Sequence, residues 1–299
     1  MSLEMTARMP HVSTETLRRL RRGFALLQRV SPALAARVAL RLFLTPTRRP
    51  LNKSDAQELS RARRHELQAG DRRFVVHEWG NGDRIAVILH GWGSHAARFA
   101  SLALPLQAQG WRVLTIDAPG HGASGGGKSS LPEFIAALDA TIARFGPAQL
   151  LIGHSLGALA IAMRLGKLYG VDAAAEAARL RGAVFIAMPD GAPFLLDRFI
   201  AMMDLREPAI GLLHKRFVAR FGQPPEAFAA LSAAANIRLP VLVVHDTGDD
   251  IIPLSQSRAL QAAISGAQLL VTHDLGHSGM LRDRETIAAI TDFAAGAIA

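Results

Sequence analysis

From residue 74 onward, short β-branched apolar runs alternate with longer stretches of helical periodicity, and this alternation restricts the fold more than any other feature. The runs read as strands over residues 74–79, 85–89, 113–116, 150–152, 184–187, 241–244 and 269–271. They are continuously apolar, as strands buried on both faces are, so the sheet is predicted to be mostly parallel. Parallel neighbours need crossover connections, and right-handed crossovers put helices on both faces. The predicted fold class is therefore α/β, a mostly parallel sheet with helices on both sides.

One connection is too long for a simple crossover. About 50 residues separate 187 from 241, well beyond the usual strand–helix–strand link. This stretch holds Phe194, Leu195, Phe199, Met202, Met203, Phe217 and Phe221. Residues 190–232 read as an inserted helical cap, with two ordinary surface helices as the plainer alternative. The α/β core is then 74–189 and 233–299.

Residues 1–73 read as a basic helical extension. Leu17, Leu20, Phe24 and Leu27 recur at helical spacing among arginines. Ser31 suits the start of a second helix, Pro32 its first position, and Pro46 and Pro50 its end. The net charge of +9 is concentrated here: 16 Lys/Arg stand against 6 Asp/Glu in residues 1–73, and 18 against 19 in the remainder. The remainder has no basic stripe, and the whole chain has one tyrosine, so nucleic-acid binding is not expected. Two readings of the basic helices stay open. They pack as an appendage with arginines facing water, or residues 1–50 lie on a membrane surface. Packing is preferred, because short helices are marginal alone and the first stripe has no tryptophan.

The chain has no cysteine, which removes disulfides, thiolate zinc sites and a cysteine nucleophile. No apolar run reaches the roughly 18 residues that span a bilayer. The first residues lack the basic-then-apolar pattern of a secretory signal. A cytoplasmic protein is expected, with peripheral membrane contact left open and the oligomeric state undetermined.

Gly153-His154-Ser155-Leu156-Gly157 fits G-x-S-x-G, directly after an apolar run and before a helical one. That context suits a sharp strand-to-helix turn that exposes a serine at the end of a sheet. A serine hydroxyl needs a base to take its proton, and the base needs an acid to orient it. Asp249 and Asp250 lie together in a loop after the 241–244 strand, and His277 follows the last strand. Gly122 to Ser129 matches a phosphate-loop spacing, but residues 117–121 separate it from its strand. No metal-ligand spacing is present, so neither a cofactor nor a metal is expected.

With these motifs the chain resembles the α/β-hydrolase superfamily, in its esterase and lipase-like branch, from about residue 74 to the end. His90-Gly91-Trp92-Gly93 resembles the family's oxyanion segment, and Asp117-Ala118-Pro119-Gly120-His121-Gly122 its following turn. Gly248-Asp249-Asp250-Ile251-Ile252-Pro253 resembles its acid loop, where the aspartate stands four before the proline, and Gly276-His277 its terminal pair. The resemblance implies Ser155 as nucleophile, His277 as base and Asp249 as acid. Backbone N–H groups of Trp92 and Leu156 would form the oxyanion hole. Asp250, and Asp190 after the 184–187 run, remain alternative acids. His90, His121, His154 and His245 read as structural partners near strand ends.

The function implied is hydrolysis of a small-molecule carboxylic ester or related acyl bond through an acyl-enzyme. Trp92, His154, Phe194, Phe199 and Met202 are the expected substrate-binding side chains. The same residues would serve thioester or carbon–carbon cleavage or acyl transfer, and a low-turnover ligand-binding protein of the same fold is the other class.

Overall fold

The structure is a computed structural model, and it describes residues 13–168 and 179–297. In chain order the elements are α1 (Thr14–Val30), α2 (Pro32–Phe43), α3 (Lys53–Leu59), β1 (Arg63–Ala69), β2 (Arg72–Trp79) and β3 (Arg84–Leu89). Then come α4 (Ala100–Ala108), β4 (Trp111–Asp117), α5 (Leu131–Phe145), β5 (Leu150–His154), α6 (Leu156–Leu168) and β6 (Gly182–Ile186). They are followed by α7 (Ala192–Met203), α8 (Ala209–Phe221), α9 (Ala230–Ala234), β7 (Val241–Asp246), α10 (Leu254–Ala263), β8 (Gln268–Thr272) and α11 (Arg284–Gly296). The chain divides into two compact units, residues 48–190 with 230–299, and residues 1–47 with 191–229.

The first unit is built on an eight-stranded sheet in the order β1-β2-β4-β3-β5-β6-β7-β8. Six strands, from β4 across to β8, run parallel, and β2 and β1 are added antiparallel at one edge. β3, β5, β6 and β7 are buried along almost their whole length, which is why they read as unbroken apolar runs. Ile88, Val113, Ile152, Val184 and Val244 meet Leu102, Leu106 and Ile290 in one core. The strand β1 is absent from the sequence prediction. Its residues, Arg-Arg-His-Glu-Leu-Gln-Ala, are polar and only half-buried at best, as suits an edge strand that packs one face.

The second unit is helical. Phe24 of α1 and Ala35, Ala36 and Ala39 of α2 are buried with Leu196 and Phe199 of α7 and Leu213 and Phe217 of α8. Three alanines on one stretch of α2 let the neighbouring helix approach closely. Ser13 and Ser31 cap the two N-terminal helices through their hydroxyl oxygens, which accept from the N–H groups of Thr16 and Leu34. Polar ties add to the packing. Arg21 Nε donates to the Met202 carbonyl at 2.7 Å, and the Gln28 amide both donates to Asp204 O and accepts from Arg206 N–H.

This division differs from the predicted one. The sequence separates an extension, 1–73, from a cap, 190–232. In the structure α1 and α2 share one core with residues 191–229, and residues 48–73 belong to the sheet's unit, with β1 in the sheet itself. Neither pair of helices can bury its apolar stripe alone, so each serves as the other's partner. Phe199 and Met202, expected to bind substrate, are buried in this helical core, and Phe199 meets Phe43 edge-on at 5.4 Å. Phe194, on the same helix, is half-buried.

Candidate active site

β5 runs directly into Ser155, and α6 begins at the next residue. Ser155 takes a φ of 53°, the left-handed region that a side chain adopts only under constraint. The two motif glycines supply that constraint. A Cβ on Gly153 would lie 2.4 Å from Ala158 Cα, and one on Gly157 would lie 2.2 Å from the Leu89 carbonyl oxygen. No side chain fits either gap, so α6 folds back against β5 and passes the end of β3. The Ser155 N–H donates to Ile186 O at 2.8 Å, which ties the turn to β6. The residue is half-buried, with its hydroxyl carried at the positive end of α6.

The loop after β3 presses on this turn. A Cβ on Gly91 would stand 2.9 Å from both Ser155 Cβ and His154 Nδ1, so only glycine fits there. Trp92 follows, 36% exposed, with its ring edge-on to His121 at 5.1 Å. Leu156 is the first residue of α6, where N–H groups have no acceptor within the helix. The two expected oxyanion donors therefore belong to segments that flank the serine.

Asp249 and His277 meet directly, with His277 Nδ1 2.8 Å from Asp249 Oδ2. The other oxygen, Oδ1, accepts from the N–H groups of Ile251 and Ile252 at 2.8 and 2.9 Å. Burial opposes the Asp249 charge. The hydrogen bond from His277, that residue's charge and the two backbone donors outweigh it and hold the carboxyl below the usual range. Asp250, next in the chain, is exposed. His273 is also exposed, and its Nδ1 lies 3.0 Å from Thr247 Oγ1.

Three buried side chains hold the loop that carries His277. Asp246 Oδ1 accepts from Gly276 N–H at 2.9 Å. His154 Nε2 donates to the His277 carbonyl at 2.8 Å, with the two rings 4.7 Å apart. An Arg98 guanidinium nitrogen donates to Ser278 O at 3.3 Å. Burial first, and then the nearby His277 charge, push the His154 pKa well below its usual value, so it is a neutral donor. His154, expected among the substrate-binding residues, is thus turned into the protein and used to support His277. Asp246 and Arg98 are not singled out by the sequence. Asp246 ends a buried strand in a cluster of three aspartates, and no spacing marks it.

His90, His121 and His245 have structural partners. His90 Nδ1 donates to Gly91 O at 2.7 Å and its Nε2 accepts from Ala118 N–H at 3.1 Å. His121 Nδ1 donates to Pro119 O at 3.0 Å, and His245 lies between Ile252 O and Ser257 Oγ. Asp117 closes its own turn by accepting from Ala123 N–H, and reaches Ala96 N–H with the other oxygen. The phosphate-loop lookalike is stitched to the sheet. Ser124 Oγ accepts from Val75 N–H at 2.8 Å and donates to Asp117 O. Among the described residues no cluster of three or more His, Asp or Glu is arranged to hold a metal.

The sequence profile of the alpha/beta hydrolase family matches residues 86–290. The chain belongs to this family. Among relatives, the hydrolase is 25% identical over 244 residues to the pimeloyl-[acyl-carrier protein] methyl ester esterase of Aromatoleum aromaticum, covering 69% of this chain and 96% of that one. It is 26% identical over 272 residues to a 2-hydroxy-6-oxononadienedioate/2-hydroxy-6-oxononatrienedioate hydrolase of Pseudomonas putida, covering 75% and 92%. Among solved structures, a putative lipase from Acinetobacter baumannii superposes on the hydrolase with a TM-score of 0.61 at 17% identity, covering 83% of this chain and 98% of that one. An esterase from Pyrococcus furiosus does so with a TM-score of 0.61 at 19% identity, covering 85% and 99%. These structural likenesses speak for the fold. No helix among the described residues is long and apolar enough to cross a membrane.

Proposed function

We propose that this hydrolase cleaves a small-molecule carboxylic ester, or a related acyl bond, through an acyl-enzyme on Ser155. The observation that carries the reading is the Asp249–His277 bond, joined through His154 to the strained turn that bears the serine. His277 Nε2 takes the Ser155 hydroxyl proton as Oγ attacks the carbonyl carbon. The oxyanion is held by the Trp92 and Leu156 N–H groups, each worth on the order of 3–4 kcal/mol. The tetrahedral intermediate expels the alcohol, which leaves with the proton from His277. Water, deprotonated by His277, then releases the acid and restores Ser155. Asp249 keeps the Nδ1–H tautomer and stabilises the imidazolium.

The relatives include a methyl ester esterase and a hydrolase named for an oxo-dienedioate, and the latter supports carbon–carbon cleavage as the second reading. Both chemistries begin at a carbonyl beside an activated serine or water. Fluorophosphonate labelling is the test, followed by turnover of an ester chain-length series and of a 2-hydroxy-6-oxo-dienoate. Labelling is expected to vanish in Ser155→Ala, with turnover of the esters. Labelling that survives this substitution overturns the assignment. Turnover of the dienoate alone selects the second reading, and labelling without any turnover selects a binding protein.

We also propose that the outward face of α1 contacts an anionic lipid surface. Leu17, Leu20, Phe24 and Leu27 face the helical core, while Arg18, Arg19, Arg22, Leu26, Arg29 and Val30 share the opposite face. Leu26 and Val30 are 68% and 76% exposed among four arginines. The acid on that face, Glu15, is bridged by Arg18 and Arg19. Arginines flanking exposed aliphatics suit a phosphate-bearing interface. The full chain is expected to sediment with phosphatidylserine vesicles at low salt and not with phosphatidylcholine, and Leu26→Glu/Val30→Glu is expected to abolish this. Binding that survives the double substitution marks a general polyanion contact and overturns the proposal.

A further inference from the structure

The acid turn and the histidine loop leave different strands, and one buried carboxylate accepts from the backbone of both. Asp246 is the last residue of β7 and is fully buried. Its Oδ1 accepts from Gly248 N–H at 2.8 Å and from Gly276 N–H at 2.9 Å. Its Oδ2 accepts from Thr272 Oγ1 at 2.8 Å, at the end of β8. Gly248 is the residue before Asp249, and Gly276 is the residue before His277. Each glycine backbone is thus fixed to the same carboxylate one residue short of the group that must meet its partner.

The Asp246 carboxylate is not itself the partner of His277. Asp249 satisfies His277 Nδ1, and the Asp246 oxygens are taken by Gly248, Gly276 and Thr272. A buried carboxylate is strongly disfavoured unless donors replace its lost water, so its retention here needs the donors it has. Those donors come from two stretches at least 24 positions apart, Gly248 in one and Thr272 and Gly276 in the other. The β7–β8 pairing ends at Asp246 and Thr272, and beyond it the Thr247 N–H to Thr272 O bond and the Thr247–His273 side-chain contact stop short of Gly248 and Gly276. The carboxylate therefore continues the sheet's register past the last paired residues and into the loops.

We propose that Asp246 is a positioning residue, setting the separation of the acid turn and the histidine loop so that Asp249 meets His277 Nδ1. The inference rests on the triad reading above for its effect on rate, but the Asp249–His277 contact can be observed without it. Burial opposes the Asp246 charge, while the bonds from Thr272, Gly276 and Gly248 lower its pKa, so it is ionised at neutral pH. The ties from His154 and Arg98 reach the histidine loop alone, and the Thr247–His273 contact joins exposed residues on the near sides of Gly248 and Gly276.

The test uses the full chain with Asp246→Ala and Asp246→Asn. Asparagine keeps an oxygen for the two glycine N–H groups, and the Thr272 hydroxyl can turn to accept from its amide, so the clamp survives in part. Turnover in Asp246→Ala is expected to fall by about 100-fold, the scale of a misplacement near 1 Å, with KM little changed. Asp246→Asn is expected to recover most of it. The low-field proton resonance of His277 Nδ1–H, assigned by its loss in His277→Gln, is expected to shift or broaden in Asp246→Ala and return in Asp246→Asn. Full activity in Asp246→Ala overturns the proposal, as does a loss that follows the unfolded fraction alone with the resonance unmoved. If Asp246→Ala does not fold, Thr272→Val, which removes the donor to Oδ2, decides through the same resonance: a shift is expected, and an unmoved resonance overturns the proposal. Undiminished hydrolysis in Ser155→Ala would instead defeat the triad reading and leave the resonance to judge Asp246.

Discussion

Asp249 and Asp250 are chemically identical neighbours that the turn sends in opposite directions. The N–H groups of Ile251 and Ile252 hold Asp249 inward against His277, and Asp250 faces solvent. Replacing Asp249 by asparagine presents an amide where His277 Nδ1–H needs an acceptor. Turnover is expected to fall by about 10³–10⁴-fold, as wrong tautomers do in serine triads, while Asp250→Asn stays within a few-fold. Steady-state kinetics of the two variants decides this, and the reverse order would move the acid to Asp250. At this scale the turn at Ser155 and the meeting of Asp249 with His277 were legible, because each stands in a motif with a local backbone reason. Asp246, His154 and Arg98 were not legible in their supporting roles, since their partners are distant in the chain.

Among the elements, the helical unit shows most clearly how packing assigns a role that periodicity leaves open. The stripe of α1 reads equally as a surface-lying face or a packed one. Phe24 is buried with Leu196, Phe199 and Phe217, so the stripe is committed to α7 and α8. Phe24→Ala should therefore lower stability by about 3–5 kcal/mol, the cost of an aromatic cavity. Denaturant unfolding measures it, and a loss under about 1 kcal/mol would mean the site collapses or is not a core. The same element carries Leu26 and Val30 outward, so one helix holds both the packing and the proposed lipid contact. β1 escaped notice because an edge strand needs only one apolar face, whereas β3, β5, β6 and β7 announce themselves by needing two.

Across the whole molecule, buried histidines dominate the response to acid. His90, His121, His154 and His245 are lowered by burial from the ordinary 6.5, His121 to about 3, and His95 is lowered to about 4. Below 6.5 the unfolded chain takes up protons that the folded one refuses, so stability falls as pH drops from 6.5 toward 4. The carboxyls of Asp117, Asp246 and Asp249 are lowered from 3.8, and their contributions persist until pH falls below that value. The histidines therefore set the slope between pH 6.5 and 4. The melting temperature is expected to be flat above pH 7 and to decline steadily below 6.5, with a shallower decline in His95→Gln. A melting temperature constant down to pH 4.5 would contradict this.

What the sequence determined by itself is whatever a few adjacent residues can enforce. Apolar runs specify strands, Ser31 and Pro32 start a helix, and Gly153 and Gly157 leave the room that the turn at Ser155 requires. Asp249 was favoured by its spacing from Pro253, yet Asp250 differs from it by one position, and only the turn's own N–H groups chose between them. Tertiary structure alone decided the joining of α1 and α2 to residues 191–229, the polar edge strand, the inward use of His154 and the bridging carboxylate of Asp246. The physical reason is common to all four. An apolar stripe or a buried polar atom states that a partner is needed, and its identity depends on which distant segment the folded chain brings within a few ångströms.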